Sequence, residues 1–289
     1  MKTSHLAEAY RVDDGRQFRL KQVNPADTAG LRGKEKADAA LQQGIEQLSE
    51  LQEKLYAQDR WALLLIFQAM DAAGKDGTIK HVLSGVNPQG CQVFAFKAPS
   101  TEELQHDFLW RANRCLPERG RIGIFNRSYY EEVLVVRVHP EWLARQHLPA
   151  PLVTADVWQQ RFEDINAFER YLTRNGVVIR KFFLYVSKQE QLRRFRERLD
   201  QPEKNWKFSV ADVAERRRWP DYMAAYQEMI RHTSTRHAPW YVVPADHKWF
   251  TRLVVAAAVV ETLRSLNLQF PKLDKAKLRE LAALRRSLT

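Results

Sequence analysis

Apolar residues fall along this chain in two rhythms. Between residues 33 and 58 (GKEKADAALQQGIEQLSELQEKLYAQ), Leu41, Ile45, Leu48, Leu51 and Leu55 recur at spacings of three and four. That period predicts a long amphipathic helix. The second rhythm is a set of short, nearly continuous apolar runs: WALLLIFQ (61–68), QVFAFK (92–97), RIGIFN (121–126), VVIRKFFLYV (177–186) and WYVVP (240–244). A strand covered on both faces reads this way. Between them lie helical patterns such as TEELQHDFLWRANRCL (101–116) and WQQRFEDINAFERYLTRNG (158–176), the latter ending in Asn-Gly, a helix stop. Alternating strands and helices predict an α/β domain with a five-stranded parallel sheet, every strand ending at one edge where ligands bind. Residues 1–32 are mixed, contain Pro25 and Gly30, and are expected to wrap the surface.

One segment breaks the alternation. Residues 200–222 (DQPEKNWKFSVADVAERRRWPDY) sit between the fourth and fifth strands and carry Lys204, Lys207, Arg216, Arg217 and Arg218. They read as a basic insertion or lid on a single domain of residues 1–289, with 1–58 as an N-terminal extension and long helix. No internal repeat or low-complexity tract interrupts the chain.

Charge sharpens the picture. The 46 Lys and Arg exceed the 35 Asp and Glu, for a net +11. Such an excess favours a polyanionic partner: nucleic acid, an anionic membrane or a phosphate polymer. Two cysteines, Cys91 and Cys115, are too few for a disulfide framework and are expected as buried thiols. The start of the chain has no secretory apolar run. The longest uncharged apolar stretch, Leu253 to Val260, is too short to cross a bilayer. A cytoplasmic enzyme is expected.

The first strand runs directly into Asp71-Ala72-Ala73-Gly74-Lys75-Asp76-Gly77-Thr78. Small residues and Gly74 let successive N–H groups face one concavity. A helix starting near Lys75 then adds its dipole, and Lys75 a full charge, where phosphates would sit. The strict phosphate-loop pattern fails twice, with Ala69 at the first glycine and Asp76 where Ser or Thr would ligate Mg²⁺. Asp71, a carboxylate on the loop, is the natural substitute ligand for a hard cation. The alternative is an ordinary strand-to-helix turn with a solvated lysine. His81, His106, His232 and His237 have no metal-ligand spacing.

The run MDAAGKDGTIKHVLSGVNPQG, then FKAPS, then Asn126-Arg127-Ser128-Tyr129-Tyr130-Glu131, then EKNWKFSVADVAERRRWPDYMAAY, resembles the polyphosphate kinase 2 family in three ordered motifs. The resemblance extends from about residue 30 to 270. It implies a thymidylate-kinase-like P-loop core, a three-layer sandwich with a helical lid. It also implies phosphoryl transfer between polyphosphate and AMP or ADP, yielding ADP and ATP, with Mg²⁺ or Mn²⁺. Under it, Asp71 and Asn126 hold metal, and Lys75 and Arg127 contact the transferred phosphate. Ala72 through Thr78, Arg180 and Lys181 bind phosphate. Lys204, Lys207, Arg216 and Arg217 close the lid. Asn87, Gln89, Tyr130 and Glu131 border the nucleotide, although composition alone makes Asn87–Gly90 a turn and Glu131 a surface acid. Relatives that use diphosphates often carry Asp at position 126. Asn there resembles the branch acting on both AMP and ADP, with Glu131 as a substitute metal ligand. A dimer or tetramer is implied, the helix at 33–58 serving an interface. An ATP-dependent nucleotide kinase with the same core, and a nucleic-acid-binding protein with a vestigial loop, remain the alternatives.

Overall fold

All five apolar runs become strands of one sheet. The computed structural model describes residues 5–31 and 33–288, without the side chains of Lys36 and Lys207. The strands are β1 (Arg11–Val12), β2 (Ala62–Gln68), β3 (Cys91–Ala95), β4 (Ile122–Asn126), β5 (Val177–Tyr185) and β6 (Trp240–Pro244). Their order in the sheet is β1-β6-β5-β2-β4-β3. β2 through β6 are mutually parallel, as expected. β1 was not foreseen: it pairs antiparallel with β6, Arg11 opposite Tyr241 and Val12 opposite Trp240. Residues 1–32 therefore do more than wrap the surface, since among the described ones Leu6, Ala7, Tyr10 and Leu20 are buried. Gly15 makes this docking possible: a Cβ there would lie 2.1 Å from the Ile230 carbonyl oxygen.

The helices are α1 (Lys34–Gln58), α2 (Lys75–Val82), α3 (Trp110–Asn113), α4 (Val135–Val138), α5 (Val157–Arg174), α6 (Lys188–Asp200), α7 (Val210–Arg217), α8 (Trp219–Thr233), α9 (Lys248–Ser265) and α10 (Lys275–Ser287). On one face α9 packs on β5 and β6 and along α1 and α2; on the other, α5 packs on β5 and α8. These are the three expected layers. β2 is buried at all seven positions because helices cover both sides of a central strand. The Leu253 to Val260 run is the interior of α9, every residue of it buried. Among the described residues no helix is long and apolar enough to cross a membrane.

One expected helix fails to form. Residues 101–116 yield a short turn at Glu103–Gln105 and the single turn of α3. Ser100 and Glu103 cap one another reciprocally, but the Asp107 carboxylate then takes the Leu109 N–H and restarts the chain.

The parallel register aligns strand ends. Phe67 of β2 and Ala95 of β3 both lie opposite Asn126 of β4, and Gln68 lies opposite Phe183 of β5. The chain leaves β2 toward β3 and β4, then returns past it to β5. The loop after β2 thus opens at the point where the winding reverses, the usual crevice for a ligand.

Candidate active site

The loop after β2 carries backbone strain. Ala72 has φ +60° and Gly74 φ +104°. An alanine in the left-handed region costs about 1–2 kcal/mol and persists only where its surroundings enforce it. Here the enforcing group is Arg194 of α6, buried at 3 % exposure. Its guanidinium donates to the carbonyls of Ala72 (3.0 Å), Ala73 (2.8 Å), Ala245 (2.6 Å) and Asp246 (3.0 Å), and to Glu190 (2.7 Å). With its donors so satisfied, Arg194 braces the loop. Gln191 adds a second brace through a 3.0 Å bond to the Asp71 carbonyl.

With the loop held, α2 begins at Lys75, where the sequence places it. Its first-turn amides lack helical partners and face the cleft. Lys75 is buried, and its Nζ turns back 2.8 Å to the Ala69 carbonyl. Burial, and then Arg127, push its ammonium below the ordinary lysine range, against the opposing pull of Asp71, Glu131 and Asp76.

The strand beside β2 supplies the second half of the site. Arg127, immediately after β4, also has positive φ, +64°. Its N–H donates to Phe67 O at 3.0 Å and its guanidinium to Asp71 at 2.9 Å. That pair is 41 % and 27 % exposed, so it adds little stability. It does place a guanidinium and a carboxylate side by side at the cleft floor. Glu131 is the largest influence holding Arg127 charged, with Asp71 adding to it. Asn126 donates from Nδ2 to Asp76 at 2.7 Å.

These groups share a cleft of about 580 Å³. Eight cationic side chains line it: Lys75, Lys97, Arg127, Arg194, Arg198, Lys204, Lys248 and Arg252; three acids, Asp71, Asp76 and Glu197, oppose them. An imbalance of that kind in one concavity fits a substrate carrying several negative charges.

Of the residues singled out in the sequence, Asp71 through Thr78, Asn126, Arg127 and Lys204 line the cleft. Others do not. Lys181 is fully buried against Glu169, and burial pushes its ammonium below the usual range. Arg180 is held by Thr262 and the Ile179 carbonyl. Both lie mid-strand, away from the cleft edge, and are removed from the phosphate-binding set. Tyr130 is fully buried and donates to Glu169, so it does not border a nucleotide. Asn87 and Gln89 precede β3, at the opposite edge of the parallel sheet; Asn87 caps the Gln89 N–H, and the compositional reading as a turn holds. Glu131 accepts from Gln68 at 2.6 Å, behind Arg127. Arg216 donates to Lys188 O and Gln191 and so props the helix that braces the loop. Arg217 is exposed outside the cleft, and the Lys207 side chain lies outside the described residues. Both cysteines are free but only half-buried.

Sequence reasoning missed Lys97, Arg194, Arg198, Lys248 and Arg252. Each is one cation among many in its own segment, and only the fold gathers the three segments. FKAPS already contained Lys97, just beyond β3. Among the described residues no cluster of three or more His, Cys, Asp or Glu could hold a metal ion. Asp71 remains as a carboxylate at the loop. That fits Mg²⁺, which takes one or two carboxylates and completes its shell with water and phosphate oxygens.

Comparison with known proteins adds an independent line. The family model described as Polyphosphate kinase 2 matches residues 32–271. An ADP-polyphosphate phosphotransferase of Rhodopseudomonas palustris is 52 % identical over 280 residues, covering 96 % of this chain and 97 % of that protein. An AMP/ADP-polyphosphate phosphotransferase of Meiothermus ruber is 46 % identical, covering 92 % of this chain and 96 % of its own. The crystal structure of polyphosphate kinase 2 from Arthrobacter aurescens TC1 superposes with a TM-score of 0.86 at 44 % identity, covering 96 % of both chains.

Proposed function

The chain belongs to the polyphosphate kinase 2 family, and from that premise we propose that it transfers phosphoryl groups between inorganic polyphosphate and AMP or ADP. The observation that supports this most is the meeting of a strained, braced phosphate loop with eight cations in one cleft. A loose phosphoryl-transfer transition state spreads charge over peripheral oxygens and needs alignment and positive charge more than covalent help.

Each residue then has a task. The amides opening α2 hold phosphate oxygens, and Lys75 moves from the Ala69 carbonyl to the transferred group. Arg127 offers a planar fork to two oxygens, while Asp71 keeps that fork oriented. Asp71, assisted by the Asn126 carbonyl oxygen, would hold Mg²⁺, whose charge would offset that of the bound phosphates. Among the described residues no histidine lines the cleft, in keeping with direct in-line transfer. The proposal treats residues 1–289 as one kinase domain with 200–222 as a lid that closes over the polymer. It includes association into a dimer or tetramer.

Incubation with Mg²⁺, AMP and long-chain polyphosphate, without added ATP, tests the reading. ADP and then ATP are expected, and Lys75→Ala should lower the rate about a thousandfold, the scale of one lost charge at a transition state. Conversion of added ADP alone would limit the acceptor to ADP. Transfer from ATP but not from polyphosphate would make it an ordinary nucleotide kinase.

A further inference from the structure

Beneath the site, and outside the cleft, lies a buried polar node that the reaction scheme leaves unused. Tyr129 and Tyr130, two and three residues after Arg127, both donate their hydroxyls to Oε1 of Glu169, each at 2.8 Å. Lys181 donates to the other oxygen of that carboxylate at 2.6 Å, to the Tyr130 hydroxyl at 2.9 Å and to Thr233 O at 2.8 Å. All three ammonium donors are satisfied. Glu169 and Lys181 are both fully buried, as are the two tyrosines.

A buried ion pair is an inefficient way to stabilise a core, because apolar residues of the same shape often do as well or better. What it offers is direction: a carboxylate fixed from one side accepts only from donors placed on the other. Here those donors belong to the turn that carries Arg127. The front of the turn is tied to β2 by the Arg127 N–H. Its back is tied to α5 through Oε1 of Glu169 and to β5 through the Lys181 bond to the Tyr130 hydroxyl. Between these ties Arg127 is held at positive φ, a conformation that its own preferences oppose. The Thr233 contact extends the node to the C-terminal end of α8, the helix whose first turn closes segment 200–222.

We propose that Glu169, oriented by Lys181, is a positioning residue that aims Arg127 by clamping Tyr129 and Tyr130. The role rests on the phosphoryl-transfer reading above. Neither charged group touches substrate; each acts through the turn.

The test separates aim from stability. In Glu169→Leu/Lys181→Met the charge pair is replaced by apolar side chains, and the phenols lose their acceptor. Folding should survive, as judged by circular dichroism, with an unfolding midpoint lowered by several degrees because two buried phenols and the Thr233 carbonyl lose their partners. Yet kcat with polyphosphate and ADP should fall about tenfold while KM for ADP stays within about threefold, the signature of a misplaced group. Glu169→Gln/Lys181→Met restores an acceptor for both phenols and should recover most of kcat. Tyr129→Phe/Tyr130→Phe keeps the ion pair, removes both phenol donors together with the oxygen that accepts from Lys181, and should repeat the kcat loss. It therefore decides the matter if the Leu/Met variant does not fold. In an Arg127→Lys background the tenfold factor should shrink toward one. Full kcat in the Leu/Met variant or in the double phenylalanine variant, or an undiminished factor in the lysine background, overturns the proposal. Absence of transfer by the unsubstituted enzyme would instead be a failure of the underlying reading.

Discussion

Asn126 supplies to Asp76 a hydrogen-bond donor that aspartate lacks. Asn126→Asp would set two carboxylates in that contact, and like charges so close demand a cation between them. Activity of that variant should fall about tenfold at low Mg²⁺ and recover as Mg²⁺ rises, a titration the parent enzyme should not share. Cys91 offers a check on burial. Its thiol is pushed from the ordinary 9.0 up to about 11 by desolvation. At pH 9 its alkylation by iodoacetamide should therefore run roughly fifty-fold slower than in the unfolded chain. The sign for stability follows: with the folded value the higher, the native state gains from this thiol below pH 9, and that gain is lost as pH rises toward 11. At this scale the sequence was legible where chemistry is contiguous. Asp71 to Thr78 and Asn126-Arg127 sit at strand ends, so an apolar run followed by a polar one locates them. Lys181 and Tyr130 misled because adjacency to a motif, or to a strand, does not say whether a side chain meets cleft or core.

Elements were read best where hydrophobicity is densest. The strand ends of β2 through β6 fall within a residue or two of their apolar runs, since burial on both faces leaves little freedom of assignment. β1 has two residues and no such signal; its existence depends on the partner edge of β6 and on the missing Cβ of Gly15. The 101–116 segment had helical composition, but local side-chain caps won over periodicity. The phosphate loop gives the sharpest prediction for an element. At Gly74 a Cβ would sit 3.8 Å from Arg194, an ordinary contact, so Gly74→Ala meets only the torsional cost of φ +104°. That cost, about 1–2 kcal/mol, should lower the unfolding midpoint by about 2–5 °C. Transfer activity should drop further than stability does, because the amides opening α2 move with the loop.

For the molecule as a whole, composition announced the excess of +11 but not its place. The fold gathers lysines and arginines from the first loop, the end of β3, α6, its following turn and α9 around one cleft. The Michaelis constant for long-chain polyphosphate should consequently rise about tenfold between 50 and 300 mM KCl at fixed free Mg²⁺, as counterions compete for the polymer. The constant for ADP should move far less. The layered α/β architecture was legible from strand–helix alternation, whereas the antiparallel pairing of β1 with β6 was not. That pairing has a consequence in time. Val12 is synthesised more than two hundred residues ahead of Trp240 and waits for it. At bacterial-type elongation rates the wait is roughly 10–50 s. Throughout it Arg11 and Val12 carry backbone groups with no sheet to join, and a nascent chain would expose them to any chaperone or neighbouring ribosome product before β6 arrives to take them.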